Sequence, residues 1–403
     1  MKNILLIIDA YYPNSRATIV IVQRIAEMLT RNGNKLTILT NKQAGSENIS
    51  EYNGVDILYM QDEYQRSNTF VHKIIGKIYD FWYTKRYGLA YEYGVLYRHS
   101  RSIRRIVKER KIDCIISVSL PIIHHISARM SLNHWGKKCW LPICLDPFAF
   151  SQEISKYEQR NRLALELKEY RKARQIFMLI ESQKDYQNSL LNSKITYFPL
   201  PNIRLLQSST NEIDFFKKDN INCLFIGNLF FSVRNPERLL QVFCRFNDPR
   251  IKLFIVGGMY GTFPENYMGE WERRSNGRIK YFSRVDNQRA IDLMLAADIL
   301  VNIGNITTNQ CPSKVLDYIS TGKPILNISK VENCTSLHYL KEYPLAKSFF
   351  EWNVLEERVQ EVELFLIESK GKQISFDKIK ELYPTCLPEK LVSKIEEYMN
   401  DKK

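Results

Sequence analysis

The sequence predicts an α/β protein built from two doubly wound, Rossmann-like domains facing a central cleft. Three observations carry that expectation. Short runs of aliphatic residues alternate along the chain with stretches at helical spacing, the pattern of parallel strands joined by crossover helices. The alternation is interrupted once, at "PLPNIRLLQSSTNEIDFFKKDN" (199–220), and then restarts. A length of 403 residues exceeds what one ordinary core holds.

In the first half, "NILLII" (3–8) reads as a buried strand, followed by a helix over 19–29 with Val22, Ile25, Ala26 and Leu29 inward. Strands follow at 36–40 and 55–60, then a basic, aromatic region. A strand at 112–119, a helix near 122–134, a strand at 139–146, a helix near 153–174 and strands at 175–181 and 194–199 complete this half. The linker has two prolines, a polar run and no period. Beyond it, strands are expected at 221–228, 251–258, 278–282, 297–304, 323–329 and 346–350, and helices near 235–247, 286–296, 353–369 and 388–400. The expected domains are 1–205 and 206–385, with a terminal helix in 386–403. Ligands of such sheets sit beyond the carboxyl ends of the strands, and a cleft between two such domains is the natural site.

Composition narrows the class. A hydrophobic fraction of 44% with 25% charged residues is that of a soluble globular protein, and no apolar run is long enough to span a bilayer. Asp9 interrupts the opening apolar run, which reads as a strand rather than a signal peptide. The eight cysteines show no zinc spacing, and reduced, buried thiols point to the cytoplasm. The net charge is +14. Between Arg66 and Lys111 stand twelve Lys or Arg against three acids, interleaved with aromatics such as Phe81, Trp82 and Tyr83. Such a surface suits an anionic membrane at the inner face; the simpler alternative is buried aromatics and solvated charges. No nucleic-acid motif accompanies the charge, so nucleic acid is not expected as a partner.

The segment "NQCPSKVLDYISTGKPIL" (309–326) carries chemistry. Pro312 suits a first helical turn, Ser313 has an oxygen to offer the free amides there, and Gly322 with Pro324 ends the helix. Lys314 and Asp317, three apart, share a face. A cation beside free amides suits a diphosphate, and an acid one turn on suits the hydroxyls of a ribose. The simpler alternative is an i,i+3 surface ion pair.

On "LFIGNLFFSVRNPERLLQVF", "KLFIVGG", "ADILVNIG" and "PSKVLDYISTGKPIL", the chain resembles the GT-B glycosyltransferases, in particular the retaining family-4 type, over essentially its whole length. The resemblance implies a nucleotide-sugar donor in the second domain, an acceptor in the first, and a last helix crossing back to the first. The family's Gly-Arg-Leu turn matches Gly227, Asn228 and Leu229, so its arginine is absent. Its diphosphate-binding lysine falls near Arg234, where a guanidinium fork serves. Its two glutamates match Asn309, on the donor hexose, and Asp317, on the ribose. In the first domain, the loop 9–18 with Arg16 matches the loop that approaches donor phosphate and acceptor. The stretch 117–128 matches the loop and helix that reach the reacting sugar, with at most one of His124 and His125 facing the cleft and a packed or capping histidine as the simpler alternative for either. Asp146, in "LDPF", either orients the acceptor or caps the next helix.

The expected reaction transfers a sugar from a nucleoside-diphosphate donor to a growing, lipid-linked glycan of a bacterial surface polysaccharide. Arg234, Lys314 and the amides near Ser313 would stabilise the departing diphosphate, with His124 beside the reacting sugar. No Asp-x-Asp motif is present, so no cofactor or obligatory metal is expected. Retention in this family needs no protein nucleophile; for inversion, Asp146 or His124 would be the base. A catalytically degenerate binding protein, which the departures at Asn228 and Asn309 motivate, and a sugar-nucleotide epimerase remain the alternatives. A dinucleotide oxidoreductase is disfavoured because no G-x-G-x-x-G opens either domain.

Overall fold

The computed structural model describes residues 1–401 except 14–15, 43–47, 66–69, 88–94, 120, 133–138, 152–153, 210–212, 307–308, 310–311 and 352–357. Tyr91, Tyr93, Cys311 and the start of the helix expected at 353–369 lie outside the described residues. The chain divides into two compact units, Met1–Pro201 with Pro388–Lys403, and Asn202–Leu387.

The first unit runs β1 (Asn3–Ile7), α1 (Ala17–Arg31), β2 (Lys35–Thr40), β3 (Glu51–Tyr52), β4 (Val55–Tyr59), α2 (Met60–Gln65), α3 (Phe70–Tyr87) and α4 (Val95–Glu109). It continues with β5 (Cys114–Ser119), α5 (Ile123–Leu132), β6 (Cys139–Cys144), α6 (Lys156–Tyr170), β7 (Ile176–Leu179), the short α7 (Gln183–Tyr186) and β8 (Ile195–Phe198). The sheet order is β3-β4-β2-β1-β5-β6-β7-β8. Every pairing is parallel except β3 with β4, and Leu5 stands between Thr37 and Ile115. Both faces are covered, which is why β5 and β6 are buried at all six positions and read as unbroken apolar runs rather than alternating ones. The core joins Leu5, Ile7, Ile115 and Trp140 of the sheet to Leu96, Ile103 and Ile106 of α4 and Ile126 of α5. Each such aliphatic side chain contributes about 1.5–3 kcal/mol by leaving water.

The final helix, Pro388–Asn400, packs on α1. Glu396 accepts from Asn32 Nδ2 at 3.0 Å and Asn34 Nδ2 at 2.9 Å, and Arg174 Nη1 donates to the Asp401 carbonyl at 2.8 Å.

The second unit runs β9 (Ile221–Ile226), β10 (Leu229–Phe230), α8 (Glu237–Cys244), β11 (Ile251–Val256), β12 (Met259–Tyr260), α9 (Tyr267–Arg274), β13 (Ile279–Phe282), α10 (Asn287–Ala296), β14 (Ile299–Ile303), α11 (Lys314–Ser320), β15 (Ile325–Ser329), α12 (Thr335–Leu340) and β16 (Ala346–Phe350), then helices at Val359–Ser369 and Phe376–Leu382. Its main sheet is parallel throughout, in the order β13-β11-β9-β14-β15-β16, the doubly wound arrangement with its switch point between β9 and β14. The first unit has the same switch between β1 and β5.

The region 66–111, left without elements in the sequence reading, contributes α3 and α4. Its aromatics divide between the two expected fates: Tyr83 and Tyr87 are buried, whereas Phe81 and Trp82 are exposed. Lys168 of α6 lies over the Trp82 and Tyr83 rings, at 4.3 and 4.6 Å from their centroids. Beneath them, Glu169 accepts from the Tyr83 hydroxyl at 2.9 Å and pairs with Arg129 of α5.

Candidate functional site

In the second unit, the turn after β9 and the turn after β11 meet back to back. Gly227 N donates to the Val256 carbonyl at 2.9 Å. Gly257 has φ 154°, and a Cβ there would stand 1.9 Å from the Gly227 carbonyl oxygen, so only glycine allows this approach. The chain then folds tightly: Arg234 N donates to the Phe230 carbonyl at 2.8 Å. This brings the Arg234 guanidinium against the turn. Its Nη1 donates to the Asn228 carbonyl at 3.3 Å, and its Nε and Nη2 both donate to Asn305 Oδ1, at 3.0 and 2.7 Å. Asn305 follows β14 and is buried, so one residue from each side of the switch point fixes the fork.

The helix α11 is pinned to the same place. The Tyr318 hydroxyl receives Ile226 N at 2.9 Å and donates to the Ile226 carbonyl at 3.1 Å. Burial raises the Tyr318 phenol far above its usual range; the positive charge of Arg234 opposes this and the negative charge of Asp317 adds to it. Both charges therefore act on one ring.

Lys314 and Asp317 do share a face, and they pair with each other: Lys314 Nζ lies 3.0 Å from Asp317 Oδ2. Asp317 is nearly buried, and its Oδ1 accepts from Asn202 Nδ2 at 3.1 Å and pairs with Arg204. Asn202, Arg204 and Asn305 have no part in the sequence reading. Ser313 departs from it: the residue is helical (φ −57°, ψ −25°), and its side chain makes no capping bond. Its carbonyl instead accepts from Asn202 Nδ2 at 3.3 Å. Because α11 has only seven residues, side-chain cations rather than an aligned helix dipole supply the positive potential here. Asn309 is half-buried in a bend between residues outside the description.

In the first unit, Arg16 stands at the N-cap of α1 with extended backbone, and its Nη2 pairs with Asp9 Oδ2 at 3.0 Å. Asp9 Oδ1 also accepts from Asn41 Nδ2 at 3.1 Å. For the histidines the structure takes the simpler alternative: both are packed, because α5 is enclosed by β5, β6, α4 and α6. His125 Nδ1 meets Ser117 Oγ at 2.7 Å, and its ring stands edge-on to Tyr170. His124 lies parallel to His99, with centroids 6.1 Å apart, and neither of its ring nitrogens has a hydrogen-bond partner among the described residues. The Tyr11 hydroxyl and Thr40 Oγ1, which follow β1 and end β2, are likewise buried and unpartnered. Each unmatched group costs about 1–3 kcal/mol, so polar groups gathered at a sheet's carboxyl end call for an explanation.

Asp146 follows β6, half-buried, with burial raising its carboxyl above the usual range. It does not cap the next helix; Ser155 does, its side chain accepting from Glu158 N at 3.1 Å.

Burial holds both histidines neutral, lowering His124 to about 4 and His125 to about 3 from 6.5. The nearby Asp9 partly offsets this for His124, and His124 itself adds to it for His125. A histidine depressed in the folded chain is protonated first in the unfolded chain, so its stability contribution is held above pH 6.5 and lost towards pH 3–4. Glu166 has the opposite sign: burial raises it to about 8 from 4.5, so its contribution is lost as pH rises through that window. His99, also buried and lowered well below its ordinary value, acts in the same direction, so three histidines outweigh Glu166 and stability falls on acidification from pH 6.5 towards 4.5. Urea midpoints measured across this window should fall steadily, and a flat profile would contradict the burial of these rings.

Among the described residues, no group of three His, Cys, Asp or Glu side chains converges as a metal site, and no helix is long and apolar enough to cross a membrane.

Two doubly wound parallel sheets in succession, each with its own switch point, make up the GT-B fold. Solved structures of that class match over nearly the entire chain. A glycosyltransferase from Rickettsia africae ESF-5 superposes with a TM-score of 0.68 at 12% identity, covering 100% of this chain and 99% of that one. HepE from Anabaena, solved with UDP and glucose, gives 0.66 at 11% identity over 98% and 99% of the two chains. WaaG, a glycosyltransferase involved in lipopolysaccharide biosynthesis, gives 0.59 at 15% identity over 97% and 99%. No family model and no curated protein sequence matches the chain.

Proposed function

We propose that this chain is a glycosyltransferase that moves a sugar from a nucleoside-diphosphate donor to an acceptor glycan. One observation carries the reading. At the switch point of the second sheet, Asn305 orients the Arg234 guanidinium while Arg204 and Lys314 pair with Asp317 of α11. Three cations gathered at one end of a parallel sheet suit a diphosphate. HepE, of the same fold, has been solved with UDP and with UDP-glucose, which supports this donor class.

The chemistry follows from the geometry. Arg234, already oriented by Asn305, meets the diphosphate as negative charge builds on it, with little rearrangement. Lys314 turns from Asp317 to the phosphate, and that movement frees Asp317 Oδ2 to accept a ribose hydroxyl. Arg16, at the start of α1, and Asp146, after β6, stand on the acceptor side, whereas His124, enclosed by α4, α6, β5 and β6, is packed in the core and meets no substrate. Attack from the leaving group's face gives retention without a protein nucleophile or a divalent cation.

The acceptor in this reading is lipid-linked, at the cytoplasmic face of a membrane. The α3 surface supports it. Ile74, Ile78, Phe81 and Trp82 are exposed at helical spacing, Phe81 by 64%, with Lys77, Lys85 and Arg86 beside them. An apolar stripe rimmed by cations suits an anionic bilayer surface. The Ile78→Ser/Phe81→Ser pair should lower co-sedimentation with anionic vesicles about tenfold or more. Equal partition of parent and variant would remove α3 from the membrane.

Thermal unfolding with UDP, GDP, dTDP and CMP tests the donor site, followed by a sugar-nucleotide screen in the presence of EDTA. One diphosphate should stabilise the chain selectively. No stabilisation at millimolar concentration would refute the donor reading. Stabilisation without turnover of any sugar nucleotide would favour the second reading, a binding protein that has lost catalysis, which the uncharged Asn228 and Asn309 motivate.

A further inference from the structure

At the opposite edge of the second sheet lies a cavity of about 500 Å³. Its walls include Lys217, Arg250, Lys252, Arg278 and Lys280 and contain no acid. These residues lie at the amino ends of the strands: Lys217 precedes β9, Arg250 precedes β11, and Arg278 precedes β13. The strands are parallel and six residues long in β9 and β11, so the cavity stands roughly 20 Å from the Gly227 turn.

The five cations divide by what they touch. Arg250 is neutralised by Asp248, Nη2 to Oδ2 at 2.7 Å. Arg278 is spent on the carbonyls of Asp248 and Phe246, at 2.7 and 2.8 Å. The ammonium groups of Lys217, Lys252 and Lys280 make no ion pair or hydrogen bond among the described residues. Lys252 is half-buried, and burial, followed by the like charges of Arg278, Lys280 and Lys217, presses it below its ordinary value. Register explains the crowding. Phe254 of β11 pairs with Lys280 of β13, and Lys252 lies two residues before Phe254, so all three project from one face of the sheet. Phe254 and the half-buried Phe215 floor the cavity, their rings 5.4 Å apart. An apolar floor lowers the local dielectric and strengthens both the repulsion among the lysines and their attraction for an anion.

We propose that this cavity is a second ligand site, binding a small molecule that carries two or more phosphate charges. Three uncompensated ammonium groups around one concave, partly apolar pocket are a cost to the free protein, and a multiply charged anion removes it. The volume falls in the range of small-molecule sites. Distance from the Gly227 turn makes the site separate from the candidate donor site, so its occupancy does not depend on the assignment of that site.

Inorganic pyrophosphate is the probe. The full chain carrying Arg234→Ala and Lys314→Ala silences the other phosphate site. Calorimetric titration of this parent is compared with the same chain carrying Lys252→Gln and Lys280→Gln, at matched ionic strength. The parent should bind saturably and the glutamine variant at least tenfold more weakly, since two charged donors to the phosphates are removed. The glutamine variant should unfold at the same temperature as the parent or above it, because repulsion is relieved, and Lys252→Arg with Lys280→Arg should retain binding. Vesicles of anionic phospholipid that displace pyrophosphate would identify a headgroup as the source of the phosphates; no displacement would identify a soluble anion. Equal pyrophosphate affinity in parent and glutamine variant would overturn the proposal, as would an equal effect of sodium chloride at the same ionic strength.

Discussion

Alanine at Arg234 is expected to reduce sugar transfer by about 10²–10³-fold, the loss typical when one pre-oriented donor to a developing negative charge is removed. The side chain is half-buried, its Nε and Nη2 both donate to Asn305 Oδ1, and its Nη1 holds the Asn228 carbonyl. It therefore waits in place rather than being recruited. Stability should fall by only about 1–3 kcal/mol, the cost of leaving buried acceptors short of donors, so the variant can be assayed folded. Lysine at this position should rescue poorly, because a point charge cannot hold Asn305 and a phosphate oxygen in one plane. Asn305→Ala acts through the guanidinium and should lower kcat more than it raises the donor KM. Measured transfer rates decide the matter: an Arg234→Ala enzyme with a third or more of the parent rate would place the diphosphate elsewhere.

Glu169→Ala should cost about 3–5 kcal/mol, the range for breaking one partner out of a buried ion pair. Glu169 has no exposed side-chain surface, and it is shared by Arg129, at 14% exposure, the Tyr83 hydroxyl and Lys168 Nζ at 3.4 Å. Removing the carboxylate leaves a guanidinium buried without its counter-charge, close to Lys168. Glutamine keeps an acceptor and should cost less. The loss should appear as a lower urea midpoint together with earlier proteolysis in α3, since Tyr83 and Lys168 over Trp82 anchor that helix. A midpoint shift below about 1 kcal/mol, the scale of surface ion pairs, would mean that the cluster is solvated.

These two sites were not equally legible. The strands were: "CLFI" in β9 and "LFIV" in β11 are unbroken apolar runs because both faces of the sheet are covered, and the glycines after them mark the turns. Arg234 was found through a family pattern, although its partner Asn305 lies 71 positions away, where no local signal speaks for it. Asp317 shows the same limit from the other side. Its Lys314 partner is three residues off and readable, whereas Arg204 is 113 positions away and comes from a segment that reads as linker. The Glu169 cluster left no local signal at all. Arg129, Tyr83 and Glu169 belong to three helices; α5 and α6 were legible, whereas α3 and the adjoining α4 alternate basic and apolar residues so closely that charge obscured the period. In α4, Leu96, Ile103, Ile106 and Val107 are buried between Arg98, Arg101, Arg104 and Arg105. The pair His124 and His125 stayed undecided for a related reason: adjacent helical positions diverge by about 100°, but α5 is surrounded on more than one side, and both rings go inside.

The return of the last helix to the first unit makes the chain an insertion: residues 202–387 interrupt a unit that begins before them and is completed after them. Translation therefore does not finish the units in the order in which it starts them. Every residue of the second unit leaves the ribosome while the first still lacks Glu396, the acceptor for Asn32 and Asn34. A stop codon just before Pro388 would spare the second unit and leave α1 with an uncovered flank. In this architecture a C-terminal truncation is a lesion of the N-terminal half.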